Sequence, residues 1–451
     1  MERKTMVKGT MFSNQDLLRL IAPLVVEQGL VFLVGIADSM MVSYAGEAAM
    51  SGVALVDMYT FLVNTVLAAV GTGGAVIVAQ YIGNREHEKA NHSASQLMLL
   101  AALISLAVMA FSVIFRRGIL QLFYRSVEAD VMEAAVLYLF VTALSYPFLG
   151  IYNSAAALFR SMGKTNRTMQ VSMMMNLINV IGNAIGIFIL HAGVLGVAVP
   201  TLISRIFAGL VMSGMAFGRK NQIYIEWRHI LAWNRDSIHR ILGIALPNGI
   251  ENGFFALGRI LVTAIVSLFG TSQIAASSAS LSVGTIAIII CSANNLATTT
   301  VIGQCIGAEE YDQAAYYMKK IMAISYLGNI TMTILMAVFM KQILGLYQLS
   351  AEGYEYCVIL VTIHNVGSCF VHPTSFNLAN ALRATGDARY TMLVGTISMI
   401  FFRVGVAVLF GIVLDFQVIG VWIAMIADWS FRSLCFLLRY RSGKWRNYRA
   451  I

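Results

Sequence analysis

The chain has 451 residues, of which 58% are hydrophobic and only 12% are charged, whereas soluble domains carry about 25% charged residues. Its mean hydropathy of +0.75 excludes an ordinary soluble protein, because so few polar side chains cannot cover so much apolar surface. The net charge of +9 comes from basic residues in short loops between apolar runs, so we predict no nucleic-acid partner. Backbone in hydrocarbon must satisfy its hydrogen bonds internally, and an all-α membrane protein is therefore expected.

Twelve apolar runs are long enough to cross a bilayer, which takes about 20 residues per helix. The predicted spans cover about 16–38, 52–82, 94–116, 132–155, 168–190, 195–217, 240–268, 275–305, 317–340, 355–378, 391–413 and 418–438. Basic residues are concentrated in one set of loops, and the opposite set holds only Arg116, Arg117, Arg125 and Lys341. This asymmetry predicts that both termini are cytoplasmic. We expect no cleaved signal peptide, since no small-residue cleavage site follows a short apolar core.

Several motifs recur 224 residues apart in the same order. Pro23, Glu27 and Gly29 recur as Pro247, Glu251 and Gly253, and Gln80-Tyr-Ile-Gly83 recurs as Gln304-Cys-Ile-Gly307. Arg160-Ser-Met-Gly163 recurs as Arg383-Ala-Thr-Gly386, displaced by 223. We therefore predict two six-helix halves, 1–217 and 240–451, joined by a polar linker at 218–239, with a basic tail at the end of the second half. Because six is even, both halves have the same orientation and form parallel repeats, which are expected to flank a central cleft.

These motifs resemble those of the multidrug and toxic compound extrusion (MATE) transporters over essentially all twelve spans. The resemblance rests on the two proline-bearing helices, on Asp38-Ser-Met-Met-Val-Ser43, on the Gln-x-x-Gly and Arg-x-x-Gly motifs and on Trp422 and Asp428-Trp429 of the last span. It implies an antiporter that exports small organic, often cationic compounds in exchange for H+ or Na+. We expect a monomer in the bacterial inner membrane, with lipid and small organic substrates as its partners and no cofactor.

Asp38 is the leading candidate for the ion-coupling residue. Within a bilayer the neutral form of a carboxylic acid is favoured unless a cation lies beside it, so proton, sodium and cationic substrate would compete for this carboxylate. The resemblance places the ion-binding aspartate of the first helix here. The counterpart in the second half is Val262, so the repeated fold does not require a carboxylate at this position. The alternative is an aspartate that caps the helix or contacts water.

Four asparagines are further candidates for ion coupling: Asn153, Asn176, Asn179 and Asn183. Asn179 and Asn183 are four residues apart, so their amides share one helix face, and amide oxygens are good ligands for hard cations. We therefore expect any Na+ site at Asp38, Asn179 and Asn183. Many members of the resembled family carry aspartate where this chain has Asn183, and this difference weakens the Na+ site or changes the coupling ion. The alternative is interhelical hydrogen bonding.

Glu27 and Glu251 occupy the same repeat position, four residues after their prolines. They are candidates for cavity-lining carboxylates, or alternatively for a packing arrangement copied by duplication. Pro23 and Pro247 interrupt backbone hydrogen bonding, which suggests either gating bends or fixed bends.

Two more residues of the second half are candidates for the substrate cavity or for coupling. His372 could take up a proton or serve as a hydrogen-bonded packing residue. Arg403 lies at the repeat counterpart of Asn179, and we expect it to pair with a carboxylate such as Glu251 or with backbone carbonyls. Asp428 and Arg432, four residues apart, are expected to pair with each other.

No enzyme motif is present that would favour catalysis. Gly163-Lys-Thr165 resembles the end of a P-loop, but Leu158 occupies the position of its first glycine. The five cysteines form no CxxC pair, and we predict no metal centre formed by them. Two alternatives to an antiporter remain: a flippase for lipid-linked precursors from the same wider superfamily, and a membrane protein without transport activity.

Overall fold

The computed structural model describes residues 10–123, 128–345, 347 and 349–451, and Arg125 lies outside these ranges. Within them the chain forms α-helices and short π- and 3₁₀-helical turns, without strands. The α-helices are α1 (Asn14–Ser43), α2 (Glu47–Gly83), α3 (His87–Ile114), α4 (Arg116–Phe123), α5 (Ala129–Leu144), α6 (Tyr146–Ser161), α7 (Thr165–Ala184), α8 (Leu195–Ala216), α9 (Trp227–Leu231), α10 (Arg235–Val266), α11 (Thr271–Ala287), α12 (Ile289–Gly307), α13 (Tyr311–Val338), α14 (Met340–Leu344), α15 (Ala351–Thr385), α16 (Ala388–Ile397) and α17 (Gln417–Arg441).

Ten helices of the described residues are individually long and apolar enough to cross a membrane. Two bent pairs pass the same test together: α5 and α6 meet at 46°, and α11 and α12 meet at 53°. Counting each pair once gives twelve spans, as the sequence predicts. The first break coincides with Pro147 at the start of α6, where proline is tolerated because its missing N–H needs no partner.

Two compact units divide the described chain, one of residues 22–249 and one of residues 250–451 together with the segment up to Ile21. These boundaries fall within α1 and α10, beside Pro23 and Pro247. The unit boundaries differ from those of the halves predicted from the sequence repeat, 1–217 and 240–451. The units group residues that pack together, whereas the repeat groups residues with similar sequence.

The linker segment is firmly held on α3 of the first unit. Asn91 accepts a hydrogen bond from the backbone of Tyr224 at 3.0 Å, and Ser95 accepts one from that of Glu226 at 3.2 Å. The fully buried Gln96 donates to the Ala232 carbonyl at 2.7 Å. These buried side chains satisfy backbone groups of a segment that includes the short helix α9.

The tail after α17 docks on the second unit. Trp445 is only 1% exposed and donates to the Tyr440 carbonyl at 3.1 Å. Arg446 pairs with Asp312 at 3.0 Å, and Arg449 pairs with Glu309 at 2.5 Å. The tail is therefore part of the folded unit.

Three π-helical stretches occur among the described residues, at Ile185–Ile189, Ser398–Gly405 and Val408–Val413. The first and third lie at equivalent positions of the repeat. The second, which contains Arg403, corresponds to residues 174–181, which are regular α-helix in α7. The two repeats therefore differ in backbone conformation around Arg403. Irregular π-helical turns frequently occur at functional sites.

Candidate ion-binding site

Asp38 of α1 lies against the polar face of α7. The Asn183 amide donates to Asp38 Oδ1 at 2.9 Å, and Asn183 is completely buried. Asn179, one turn earlier on the same face, lies within hydrogen-bonding distance of both Asp38 oxygens. The structure thus brings together the three residues that the sequence singled out for a cation.

The Asn179 amide fits the same heavy-atom positions in two orientations, which a hydrogen-bond network must decide. With its nitrogen toward Asp38, it donates to the two carboxylate oxygens at 2.9 and 3.1 Å, and its oxygen accepts from Thr201 at 3.1 Å. With its oxygen toward Asp38, it accepts from the Asn183 amide at 3.3 Å, and its nitrogen donates to Thr201. The first orientation matches donors with acceptors at Asp38 and Thr201, whereas the second places oxygen against oxygen, so the hydrogen-bond network supports the first.

Asp38 opens onto a cavity of about 340 Å³ in the first unit, which we call the Asp38 cavity. Asp57 of α2 and Arg205 of α8 also line it, with Asn176 and Tyr138. Asp57 interacts electrostatically with both Asp38 and Arg205. Arg205 donates a hydrogen bond to the Ser145 hydroxyl at 2.9 Å. Two carboxylates against one guanidinium leave this cavity with a net negative charge when all three are ionised.

The oxygens around Asp38 suit a hard cation. They are the two carboxylate oxygens and the Thr201 hydroxyl, which lines the same cavity. Asn183 Oδ1 is buried without a hydrogen-bond partner among the described residues, but Asn183 does not line the cavity and turns its nitrogen toward Asp38. No group of three His, Cys, Asp or Glu side chains in the described ranges could hold a transition metal.

The repeat is also visible in a comparison with protein families. The MatE family model matches this chain twice, at residues 23–185 and 247–409, and the two matches are displaced by the same 224 residues as the motifs. The chain belongs to the MatE family. The two matches start at Pro23 and Pro247, so the proline-bearing helices open both MatE repeats.

Relatives and solved structures agree over nearly the full chain. An uncharacterized transporter of Bacillus subtilis, YisQ, is 27% identical over 98% of this chain and 97% of its own. A probable multidrug resistance protein NorM of Thermotoga maritima is 26% identical, with 96% and 93% covered. The outward-facing structure of a multidrug resistance MATE family transporter superposes with a TM-score of 0.89 at 19% identity, covering 98% of this chain and all of that one. This protein is thus a multi-pass membrane transporter with the two-repeat MATE fold.

The remaining predicted asparagines are placed differently in this MatE protein. Asn176 lines the Asp38 cavity, and its amide nitrogen is buried without a partner among the described residues. Asn153 does not line that cavity and donates to Asn64 at 3.0 Å. Of the two, Asn176 is the one positioned to meet a cavity ligand.

Glu27 and Glu251 form buried ion pairs with the arginines of the repeated Arg-x-x-Gly motifs. Glu27 lies 3.8 Å from Arg160 and accepts from Thr168 at 3.1 Å. Glu251 lies 3.5 Å from Arg383. Both glutamates are 5% exposed. The two MatE motifs are therefore connected in each unit by an equivalent pair, and this favours the alternative of a packing arrangement copied by duplication.

Arg432 joins the pair in the second unit. It lies 3.7 Å from Glu251 and donates to Asp428 at 3.0 Å, which confirms the predicted pairing of Asp428 with Arg432. Ser398 also donates to Asp428. The expected pairing of Arg403 with Glu251 was wrong, because Glu251 pairs with Arg383 and Arg432. The charge of another carboxylate, Asp428, acts on Arg403 without a hydrogen bond or an ion pair between them.

His372 is buried and packed on all sides. Its Nδ1 lies 3.2 Å from Cys291 Sγ, and its ring stacks on Phe376 at 4.4 Å and meets Trp429 edge-on at 4.9 Å. These contacts agree with the alternative of a packing residue. Pro23 and Pro247 lie inside α1 and α10, and both helices continue through them.

Sequence reasoning missed Thr201 and gave Asp57 and Arg205 no role. Asp57 could have been found by the test applied to Asp38, because its repeat counterpart is the apolar Leu281. Thr201 carries no comparable signal, since threonine is common in membrane helices and back-bonds to its own helix, here to Val197 at 2.9 Å.

Proposed function

We propose that this MatE protein is a cation-coupled antiporter that exports small organic, cationic or amphipathic compounds in exchange for H+ or Na+. The observation that carries the proposal is Asp38 itself: a carboxylate ringed by two asparagine amides, opening onto a cavity of about 340 Å³. Ionisable groups at membrane depth are costly, and they mark transport pathways. The names of the NorM relatives support a multidrug substrate range.

We assign coupling to competition for the Asp38 carboxylate. When Asp38 is ionised, the Asn179 and Asn183 amide nitrogens donate to it. A proton or Na+ that binds there neutralises the carboxylate. A cationic substrate competes for the same carboxylate. Because only one cation neutralises Asp38 at a time, release of one allows the other to bind.

Movement of the proline-bearing first helix is the proposed means of changing access. Solved structures of MATE in the bent and in the straight conformation superpose on this chain with TM-scores of 0.87 and 0.88. Pro23 removes one backbone hydrogen bond from α1, so bending of α1 there breaks no further bond. We assign the same role to Pro247 in α10.

The remaining assignments complete the proposal. The positive-inside distribution supports cytoplasmic termini, and the bacterial relatives support the inner membrane as the location. We propose a monomer, because each cavity is formed within one chain. The alternative of a flippase for lipid-linked precursors is less favoured, since the Asp38 cavity carries more acidic than basic groups and lipid-linked precursors carry phosphates.

The test is substrate exchange in proteoliposomes under an imposed Na+ or H+ gradient. We expect Asp38→Asn to reduce gradient-driven exchange of a cationic dye at least about tenfold, the effect of losing one charged interaction of roughly 1.4 kcal/mol or more. Asn153→Ala is the matched control, because Asn153 lies outside the cavity lining, and it should retain exchange. Unchanged coupling in Asp38→Asn would refute the proposed site. Gradient-independent lipid movement would refute the antiporter.

A further inference from the structure

A second cavity, of about 40 Å³, lies in the second unit. We call it the Arg403 cavity. Arg403 and Arg259 line it, together with Val262, Ser277 and Trp422. Trp422 is 3% exposed and donates to the Ser277 hydroxyl at 3.2 Å, which leaves the hydroxyl hydrogen of Ser277 available for a ligand.

The Arg403 cavity is the repeat equivalent of the Asp38 cavity. At the displacement of 224 residues, Gly35, Asp38, Asp57 and Asn179 correspond to Arg259, Val262, Leu281 and Arg403, and both sets line their cavities. Both carboxylates of the first cavity are thus replaced by apolar side chains, while a glycine and an asparagine are replaced by arginines. Duplication produced two equivalent cavities, and their charges are now opposite.

Arg403 forms no hydrogen bond or ion pair with the described residues, and its Nε is buried without a partner. It is 8% exposed, and the charge of Asp428 acts on it without a direct contact. A buried guanidinium that lacks a contacting carboxylate costs free energy. Arg403 belongs to the π-helix Ser398–Gly405, and its side chain lines the cavity. An anion bound there would offset the free-energy cost of the buried charge.

The two carboxylates of this region contact arginines through one oxygen each, and Glu251 Oε2 and Asp428 Oδ2 have no hydrogen-bond partner among the described residues. Away from the helix ends, the described part of the second unit holds Glu251 and Asp428 as its only acidic side chains. Glu251 lies within 4 Å of Arg383 and Arg432, and Asp428 Oδ1 accepts from Arg432 and Ser398. With Arg259 and Arg403 counted, two carboxylates face four arginines, so this region carries a net positive charge.

We propose that the Arg403 cavity binds a small monoanionic group. Its volume suits a halide ion or a carboxylate and is too small for a polyphosphate. Arg403 and Arg259 supply the charge, and Ser277 donates a hydrogen bond. The anion comes either from solution or from the carboxylate of an amphipathic substrate, and only the second source rests on the proposed antiport function.

Trp422 provides a direct readout, because iodide quenches indole fluorescence on contact. Purified protein in detergent is titrated with iodide at constant ionic strength, balanced with sulfate, which is a dianion and carries no carboxylate. We expect a saturable quenching component on top of linear collisional quenching. Trp422→Phe should remove the saturable component and leave the linear part from Trp227, Trp233, Trp429 and Trp445.

Two variants test the site itself. Arg403→Gln should weaken iodide binding about tenfold or more, as expected for loss of a charged hydrogen-bond donor. Val262→Asp should abolish binding, because it places a carboxylate beside Arg403 at the position equivalent to Asp38. Arg205→Gln removes a positive charge from the Asp38 cavity and should leave iodide binding unchanged. Equal thermal unfolding midpoints identify folded variants, and if Arg403→Gln unfolds, Val262→Asp serves alone.

Purely linear quenching in the wild type would overturn the proposal. Equal saturable quenching in wild type and folded Val262→Asp would overturn it as well. The source of the anion is identified by competition with iodide. The competitors are acetate, a rhodamine that carries a carboxylate, and the methyl ester of that rhodamine, which lacks the negative charge. Displacement by acetate alone assigns the site to a solution anion, and preferential displacement by the rhodamine carboxylate assigns it to substrate. Because these measurements require no transport, they stand even if the antiport proposal fails.

Discussion

The Asp38 cavity and the Arg403 cavity occupy the same position of a duplicated structure, yet they share almost no chemistry. In the first, a carboxylate accepts hydrogen bonds from two asparagine amides. In the second, an unpaired arginine points into a space only large enough for a small ion. What the two units do share is the buried pair between Glu27 or Glu251 and the arginine of the Arg-x-x-Gly motif. Duplication therefore preserved the pairs that hold the helices together, and the cavities diverged.

The largest expected effect concerns the shared pairs. Arg432→Ala leaves Glu251 with Arg383 alone and Asp428 without a cation, so it should destabilise the protein by about 3–5 kcal/mol, the usual cost of breaking a buried pair. Arg160→Ala should cost less, because Arg160 is 3.8 Å from Glu27 and Thr168 still donates to that carboxylate. Thermal unfolding in detergent measures both. Equal losses would show that Arg432 contributes no more than Arg160, although it contacts two carboxylates.

A close helix contact next to each cavity is the next test. Any Cβ at Gly196 would lie 2.7 Å from the backbone of Gly186, and one at Gly420 would lie 2.6 Å from that of Phe410. Both alanine variants should lose about 1–3 kcal/mol of stability through overpacking. Gly214→Ala, on the same helix as Gly196 but with open space at its Cβ, should be neutral or slightly stabilising. A difference between Gly196→Ala and Gly420→Ala would mean that the shared scaffold has diverged too.

Asn183→Asp tests the cation chemistry of the Asp38 cavity. A second carboxylate beside Asp38 should lower the Na+ concentration for half-maximal substrate exchange about tenfold, which corresponds to roughly 1.4 kcal/mol of added cation affinity. Asn153→Asp adds the same charge outside the cavity and should leave this concentration unchanged. If both variants behaved alike, the effect would be one of overall charge, and Asn183 would not be a ligand.

Thr201→Val should have the smallest effect. Loss of one neutral hydrogen bond to the Asn179 amide is worth about 0.5–1.5 kcal/mol, so cation affinity in the same exchange assay should fall about two- to tenfold. Thr263→Val removes a hydroxyl from the lining of the Arg403 cavity instead. The cation affinity of this variant, measured in the same exchange assay, should match that of the wild type. A loss in Thr263→Val instead would contradict the assignment of cation binding to the first unit.

The spans, their number and their duplication follow from hydropathy and from motifs that recur at a constant distance. The face shared by Asn179 and Asn183 follows from their spacing, but its approach to Asp38, 145 residues earlier than Asn183, depends on tertiary packing and was suggested only by the family resemblance. Pro147 marks the break between α5 and α6 in the sequence. The break between α11 and α12 at Ile288 has no proline or glycine beside it, so the sequence did not indicate it. Arg403 was expected to pair because buried charges usually do, and no local pattern shows that the nearby carboxylates have other partners.

The docked tail changes how the basic end of this chain should be understood. A count of arginines and lysines suggests a segment free to attract the anionic headgroups of a membrane, yet Arg446 and Arg449 are engaged with Asp312 and Glu309. Partly exposed pairs of this kind weaken as the Debye length shrinks to about 3 Å in 1 M salt. Concentrated salt would therefore weaken the attachment of the tail to the second unit. A bulky tag fused directly after Ile451 would disturb the same contacts, so a spacer should precede any such tag.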